Sequence, residues 1–540
     1  MKKVIIINIL LFSYVLHASN KIKEVIKDKD LFEGQKQQYK NLQDKSNEKI
    51  PFFNVPKPQL LKSDDKRCFF INHINTDSIT LLSSLEKEKI LEKYLNKCNT
   101  LVDLKNLINE LTSLYIDKGY ITSKVYLKSQ NIKDGKIELF AIEGKLEKFL
   151  NNKINTITAF GNLEGKYLNL RDLEVGIENI NRLNSNNAKI KLEPSEKIGY
   201  SKVSIENKTS NRLNGYISLN NYGEEITGKQ QLSLNLNLDN PLTLNDQFKI
   251  NYNTTDNHNT PENSIGDIYS YSIPFGRSLI LLDYSNSEYN QFIKAQFNRY
   301  KILGESKNFN LKLKYKWFHN QNHSFSNLIF LNHYRTKKFI EGYKIVNSSY
   351  NLSKAGLSFN YIYQIPTFYA LASFEYTKGI HLINSLNPTT LDERYKKYTF
   401  DLSLVKSFYS FSYNLDFHLQ HTKDKLFSIN QISIGGPYSV RGYKEEGLSG
   451  NKGFYYRNEL VYNYPKKILG YFQPSFYIAL DGGWVKKEED SSGGTLVGEA
   501  IGTKFNSKNI LVDIYYSKAL KVSNVLNNKN FLAFQVIYKF

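Results

Sequence analysis

Methionine occurs once, tryptophan twice and cysteine twice in this 540-residue chain. No internal stretch reaches 18 consecutive apolar residues, which excludes a transmembrane helix. The phosphate-cradling Gly-x4-Gly-Lys-Ser/Thr loop is missing, and so is a Gly-x-Ser-x-Gly nucleophile elbow. Neither a catalytic residue nor a cofactor site is expected. His319 and His323 are four residues apart, but at a strand end and a turn, where that spacing does not bring two side chains to one face. We expect both to be solvated and no metal to be bound.

What is present points to strands. Tyrosine (39) and phenylalanine (33) are abundant, yet mean hydropathy is low. That combination suits a barrel in which every second strand residue faces lipid. Lys+Arg (72) exceed Asp+Glu (52), for a net charge of +20. Nucleic acid or an anionic membrane surface would be the obvious partner for such a charge. No helix face gathers the lysines, however, so the charge reads as spread over loops and lumen, and no nucleic-acid partner is expected.

The first residues read as an export signal. Lys2 and Lys3 precede an apolar run from Val4 to Val15, then Leu16-His17-Ala18-Ser19, with cleavage expected after Ala18. In an oxidising compartment Cys68 and Cys98 are expected to form a disulfide. Residues 19–50 are highly charged with a weak helical stripe (Ile22, Val25, Ile26, Phe32), and read as a polar helix in a wet cavity or as disorder. Residues 51–67, with Pro51, Pro56 and Pro58, read as an extended linker.

Two α/β modules follow. In 68–143, Cys68-Phe69-Phe70-Ile71 starts a strand and residues 83–96 read as a helix. Thr100 and Asp103 cap a second helix bearing Leu104, Leu107, Ile108, Leu111, Leu114 and Tyr115. Strands at Thr122–Leu127 and Lys136–Ile142 flank a turn at Asp134-Gly135. Residues 144–208 repeat the plan: a strand near Lys148–Thr158, a helix with Leu173, Ile177, Ile180 and Leu183 on one face, and strands at Ala188–Leu192 and Lys202–Ile205.

From Arg212 onward helical periodicity disappears. Alternating segments of 9–12 residues recur, the length a tilted transmembrane strand needs. Seventeen candidates can be drawn. Both termini of the barrel should face one compartment, which requires an even number, so the weak segment 291–302 is assigned to a long outer loop and sixteen strands are predicted. That count places the long connectors, including Thr422–Gly453, on one side and short turns on the other. The last strand, Phe531–Phe540, carries Phe534, Val536, Tyr538 and the terminal Phe540 on one face. Tyr538 and Phe540 resemble the C-terminal signal by which outer-membrane barrels are recognised by the barrel-assembly machinery.

One stretch stands apart: Gly435-Gly436-Pro437-Tyr438-Ser439-Val440-Arg441-Gly442-Tyr443, a turn-rich loop carrying one arginine between membrane-type strands. Its Val440-Arg441-Gly442-Tyr443 resembles the VRGY/F motif in the sixth outer loop of TpsB transporters of two-partner secretion, the ShlB/FhaC type in the BamA-related superfamily. Further matches are Asp481-Gly482-Gly483, Gly119-Tyr120-Ile121-Thr122-Ser123-Lys124-Val125-Tyr126-Leu127, Leu168-Asn169-Leu170-Arg171-Asp172-Leu173-Glu174 with Asn181-Arg182-Leu183, and Asn458-Glu459-Leu460. The resemblance implies two periplasmic POTRA domains (68–143 and 144–208), a plug helix, and a sixteen-stranded antiparallel barrel (209–540) in the outer-membrane lipids. It also implies ATP-independent export of a cognate TpsA-type exoprotein, haemolysin or adhesin, with porin activity. The alternative is a barrel-assembly factor of the BamA type.

Within this frame Arg441 needs a partner, because a charge inside a membrane barrel is costly unless paired or wet. Alternation puts Tyr477, Ala479 and Asp481 on the face opposite Phe476, Ile478 and Leu480, so Asp481 should face the lumen. The expectation is a loop folded inward, with Arg441 on Asp481 and Gly435, Gly436 and Gly442 letting the backbone approach the wall.

Overall fold

The computed structural model describes residues 55–540 except 63–66, 151–152, 257–261, 295–297, 321, 383–384, 445–446, 489–490, 492 and 522–529. The export signal and the polar 19–50 segment lie outside the described residues.

The first module comprises β1 (Phe69–Ile71), β2 (His73–Asn75), α1 (Ser84–Leu91), β3 (Lys97–Asn99), α2 (Leu101–Asp117), β4 (Lys124–Leu127) and β5 (Lys136–Ile142). Its sheet runs β2-β5-β4, and β1 pairs with β3 in a separate ribbon. The Thr100 side chain accepts from Asp103 N while the Asp103 carboxylate accepts from Thr100 N, closing a capping box on α2. The buried stripe Leu104, Leu107, Leu111 and Tyr115 packs with Ile71, Val125, Ile137 and Leu139. Each such side chain contributes about 1.5–3 kcal/mol by leaving water. The lysine/glutamate helix stops at Leu91, earlier than its composition suggested, because the chain must turn into β3 to pair with β1. That pairing sets Phe70 opposite Cys98, and the Cys68–Cys98 disulfide spans a Cα–Cα distance of 5.3 Å.

The second module has β6 (Lys145–Leu150), α3 (Thr156–Phe160), α4 (Leu170–Asn181), β7 (Asn186–Pro194) and β8 (Tyr200–Thr209), in sheet order β6-β8-β7. The strand expected to reach Thr158 ends at Leu150; Asn155 instead caps a short helix through Thr158 N. The Gly119 and Leu168 motifs meet in space: Leu170 N donates to Gly119 O at 2.8 Å and Asn169 Nδ2 to Lys118 O at 3.0 Å. They form a contact between the two modules.

The barrel closes with sixteen antiparallel strands. The first eight are β9 (Leu213–Asn220), β10 (Gln230–Asp239), β11 (Gln247–Asp256), β12 (Asn263–Phe275), β13 (Ser278–Lys294), β14 (Arg299–His319), β15 (His323–Ile340) and, past the two-residue β16 (Tyr343–Lys344), β17 (Tyr350–Ile365). Next come β18 (Phe368–Ile380), β19 (Lys396–Phe408) and β20 (Phe411–Thr422). A small loop hairpin follows, β21 (Ile432–Ile434) and β22 (Leu448–Gly450), and then β23 (Gly453–Asn463), β24 (Gln473–Val485), β25 (Gly494–Asn506), β26 (Ile510–Lys521) and β27 (Phe531–Lys539). The 291–302 segment is no separate spanning strand, nor is it a free loop: it extends β13 and β14 as one long paired hairpin. Strands of 17, 21, 18 and 16 residues (β13, β14, β15, β17) exceed the 9–11 that cross a bilayer, so this wall projects beyond it. Tyr538 and Phe540 lie exposed on the outer face, and the terminal Phe540 exchanges backbone hydrogen bonds with Gly215, so the last residue helps close the ring.

The second module is bolted to the short turns of the barrel. Arg182 Nη1 donates to Ser272 Oγ at 2.7 Å and Nη2 to Asn245 O at 2.9 Å. Asn245 Nδ2 donates to Thr158 Oγ1, Asp172 pairs with Arg277 at 2.7 Å, and Glu178 with Lys316 at 2.5 Å. His319 is buried at this end of β14, against the expectation of solvent, while His323 Nδ1 lies 2.6 Å from Tyr361 Oη. A turn next to a docked module loses its water, which sequence spacing does not reveal. The two histidines share no ligand, and no metal-type cluster occurs among the described residues.

Candidate functional site

The loop between β20 and β23 folds into the barrel, and residues 430–443 are all buried. Its hairpin, β21 paired with β22, presents Ile432, Ile434 and Leu448 to an apolar cluster with Val440, Tyr443 and the wall residues Tyr455, Val485, Leu496 and Ala519. An apolar face explains why the loop seats against the wall instead of standing in water. At its base, Gln420 Nε2 donates to Asn430 O and Asn451 O, both at 3.1 Å.

At the tip, Arg441 is 1% exposed and Asp481, on β24, is 0% exposed. The guanidinium grips the carboxylate with two bonds: Nε to Oδ2 at 2.6 Å and Nη2 to Oδ1 at 2.8 Å. The Arg441 backbone N–H adds a third at 3.1 Å. The remaining nitrogen, Nη1, donates to Glu459 Oε1 on β23 at 2.7 Å, and Glu459 Oε2 accepts from Lys504 Nζ on β25 at 3.1 Å. The result is a four-residue chain of alternating charge that satisfies each buried ion, the condition under which buried pairs hold. Alternation alone identified the lumen-facing Asp481. Glu459 enters the sequence reading only through the Asn458-Glu459-Leu460 match, although the same alternation places it on the lumen side of β23. Lys504 carries no motif signal at all.

Two glycines let the loop touch the wall. Gly442 has φ +97°, and a Cβ there would sit 2.5 Å from the Lys518 carbonyl carbon. On the wall, a Cβ at Gly498 would come within 1.8 Å of Arg441 O. Next to it the β25–β26 ladder slips register between Val497 and Gly498. The Tyr443 hydroxyl fills that gap, accepting from Val497 N at 3.1 Å and lying within bonding distance of Val497 O and Lys521 O. Beyond the arginine, Arg457 Nη1 donates to Pro437 O at 3.0 Å, and the Tyr438 ring meets Tyr222 edge-on at 6.0 Å. The loop therefore reaches from β23–β26 across to the first strands.

Comparison with known proteins bears on this arrangement. The model of the haemolysin secretion/activation protein family ShlB/FhaC/HecB matches residues 199–505. A ShlB-type POTRA model matches 69–144 and a second POTRA model 136–194. The chain belongs to the ShlB/FhaC/HecB family. Among its relatives, the outer membrane transporter CdiB of Dickeya dadantii is 30% identical over 517 residues, covering 92% of this chain and 90% of the relative. The hemolysin transporter protein HpmB of Proteus mirabilis is 27% identical over 84% of this chain and 81% of its own length. The solved structure of CdiB from Escherichia coli superposes with a TM-score of 0.87 at 24% identity, over 95% of this chain and 98% of that one, and shows the shared fold. Members of this family sit in the bacterial outer membrane with their POTRA domains in the periplasm, which orients the short turns inward and the long loops outward.

Proposed function

We propose that this chain exports a cognate unfolded exoprotein, of haemolysin or adhesin type, across the outer membrane without ATP. The observation that carries the reading is the inward loop clamped through Arg441 to Asp481 and Glu459, on a barrel hydrogen-bonded to the second of two periplasmic modules. That its relatives CdiB and HpmB are transporters supports it. Among the described residues the modules leave strand edges unpaired at β2, β4 and β7, whereas the outer edge of β6 is covered by residues 165–168. An unfolded chain can add there as a strand, bound by backbone hydrogen bonds with little demand on its sequence. Residues 1–18 serve as the export signal, and Tyr538 with Phe540 as the mark read by the barrel-assembly machinery. The Arg441 clamp acts as a latch that releases as the exoprotein threads past.

The test is secretion by an Arg441→Ala variant that still inserts as a heat-modifiable barrel. Export of the cognate exoprotein should collapse; normal export would remove the role of the loop. Depletion of the chain separates export from barrel assembly: loss of the one exoprotein supports export, whereas general loss of outer-membrane proteins would favour an assembly factor.

A further inference from the structure

The outward face of the barrel carries like charges opposite one another at a defined height. On β14 the lipid-facing row is Trp317, Tyr315, Leu313, Leu311 and Phe309, and the next outward residue is Lys307. Its direct cross-strand partner on β15 is Arg335, one step above the Phe309–His333 pair. Both cations are exposed. The residues flanking them in the same row are amides, Asn286 on β13 and Asn351 on β17. The carboxylates stand one step further out, Glu305 facing Lys337 and Glu288.

The arrangement recurs. Lys378 on β18 opposes Lys396 on β19, both exposed, two residues beyond Tyr376 and Tyr398, whose rings lie 5.3 Å apart. The nearby Asp424 carboxylate is taken by the Lys396 backbone N–H at 2.6 Å. On β23 and β24, Phe454 and Trp484 pair at 6.2 Å. One step beyond the Gly453–Val485 pair, Lys486 N donates to Lys452 O, which sets these two lysines opposite each other above the aromatic pair. The first strands differ: in the row that continues from Asn286, β12 and β11 present Asp267 and Tyr252.

Like charges directly across an antiparallel ladder, with Cβ atoms ~5 Å apart, are destabilising on their own. Three such pairs, each just outside an aromatic row, call for an anion between them. Aromatic rows mark the level of the lipid headgroups, and cation clusters at that level read as anionic-lipid sites. We propose that the Lys307–Arg335 and Lys378–Lys396 pairs, with Lys452–Lys486 as a third, bind the phosphate groups of a phosphorylated glycolipid of the outer leaflet, whose acyl chains lie along Phe309, Tyr376, Tyr398 and Trp484. The donors of the Lys307–Arg335 pair fit: a guanidinium fork and an ammonium on adjacent strands with amides as the immediate flanks, the carboxylate of that row, Asp267, standing two strands away on β12. The side chains point away from the lumen, so the exported protein does not reach them. The inference rests on the outer-membrane location and not on the export reading. It also locates six of the excess positive charges in a partial belt running from β14 to β24.

The test uses the full-length protein, delipidated in detergent and titrated with bisphosphorylated lipid A by native mass spectrometry, with thermal unfolding as a second readout. Wild type should bind and be stabilised. The Lys307→Gln/Arg335→Gln and Lys378→Gln/Lys396→Gln variants should each bind about ten-fold or more weakly, a difference of about 1.4 kcal/mol. The charge-conserving Lys307→Arg/Arg335→Lys variant should bind as wild type, which controls for folding. Dephosphorylated lipid A should bind poorly, and inorganic phosphate alone should neither compete at millimolar levels nor stabilise. Unchanged affinity in the Gln variants, equal binding of dephosphorylated lipid A, or full competition by inorganic phosphate would each overturn the proposal.

Discussion

Arg441 uses its whole donor fork: two nitrogens and its own amide hold Asp481, and the third nitrogen holds Glu459. Removing Asp481 leaves a buried guanidinium with one carboxylate, at a cost of about 3–5 kcal/mol, less where water enters. A subtler probe is Gly498→Ala. It keeps every charge but puts a methyl 1.8 Å from Arg441 O, so the loop must lift. The expected result is faster proteolysis of residues 435–443 in a barrel that still inserts; wild-type protection would show that the wall yields there. In the periplasm, Glu86 is held down at about 2 from the ordinary 4.5 by hydrogen bonds from Lys118 and Ser83. Its folded value lies below its unfolded one, so its stabilisation is complete above pH 4.5 and lost as pH falls toward 2. Calorimetry across that window should show the first-module transition falling more steeply in wild type than in Glu86→Gln. The effect will be small, because the pair is partly exposed.

At the scale of elements, helix α4 joins the periplasmic modules to the pore. Burial draws Arg182, at its C-terminal end, down to about 10, partly offset by Asp239 and Asp246, so it remains charged at neutral pH. Arg182→Ala removes the bonds to Ser272 and Asn245 and should cost roughly 1.5–3 kcal/mol at the junction. Hydrogen exchange in the turns around 240–246 and 272–277 should speed up, while the loop clamp stays protected. Arg182→Lys should recover only part of the effect, because an ammonium cannot span both acceptors. The Cys68–Cys98 bridge closes a loop of 30 residues' separation and should stabilise the first module by about 3–4 kcal/mol. Cys98→Ser should lower that module's melting transition and leave the barrel transition in place.

For the whole molecule, the export reading makes the modules indispensable. A chain lacking residues 67–209 should still close its barrel, judged by heat-modifiable mobility, yet export nothing; retained export would mean that the barrel alone suffices. Strand number, the inward side of Asp481, the helix cap at Thr100 and the aromatic face ending at Phe540 were all legible in the sequence. The last three depend on a period of two or on a contact three residues away, which the order of residues sets directly; the strand number needed in addition that both ends of the barrel face one compartment. Other features depend on which elements come to lie together. Glu459 and Lys504 join Arg441 only because β23 and β25 flank β24; His319 is dry only because α4 docks beside it; the 291–302 segment is paired only because β13 and β14 outgrow the bilayer. The opposed cations of the outer face are invisible to a charge count for the same reason. Register between strands depends on hydrogen bonding between segments distant in the chain, so tertiary structure alone decided which charges meet.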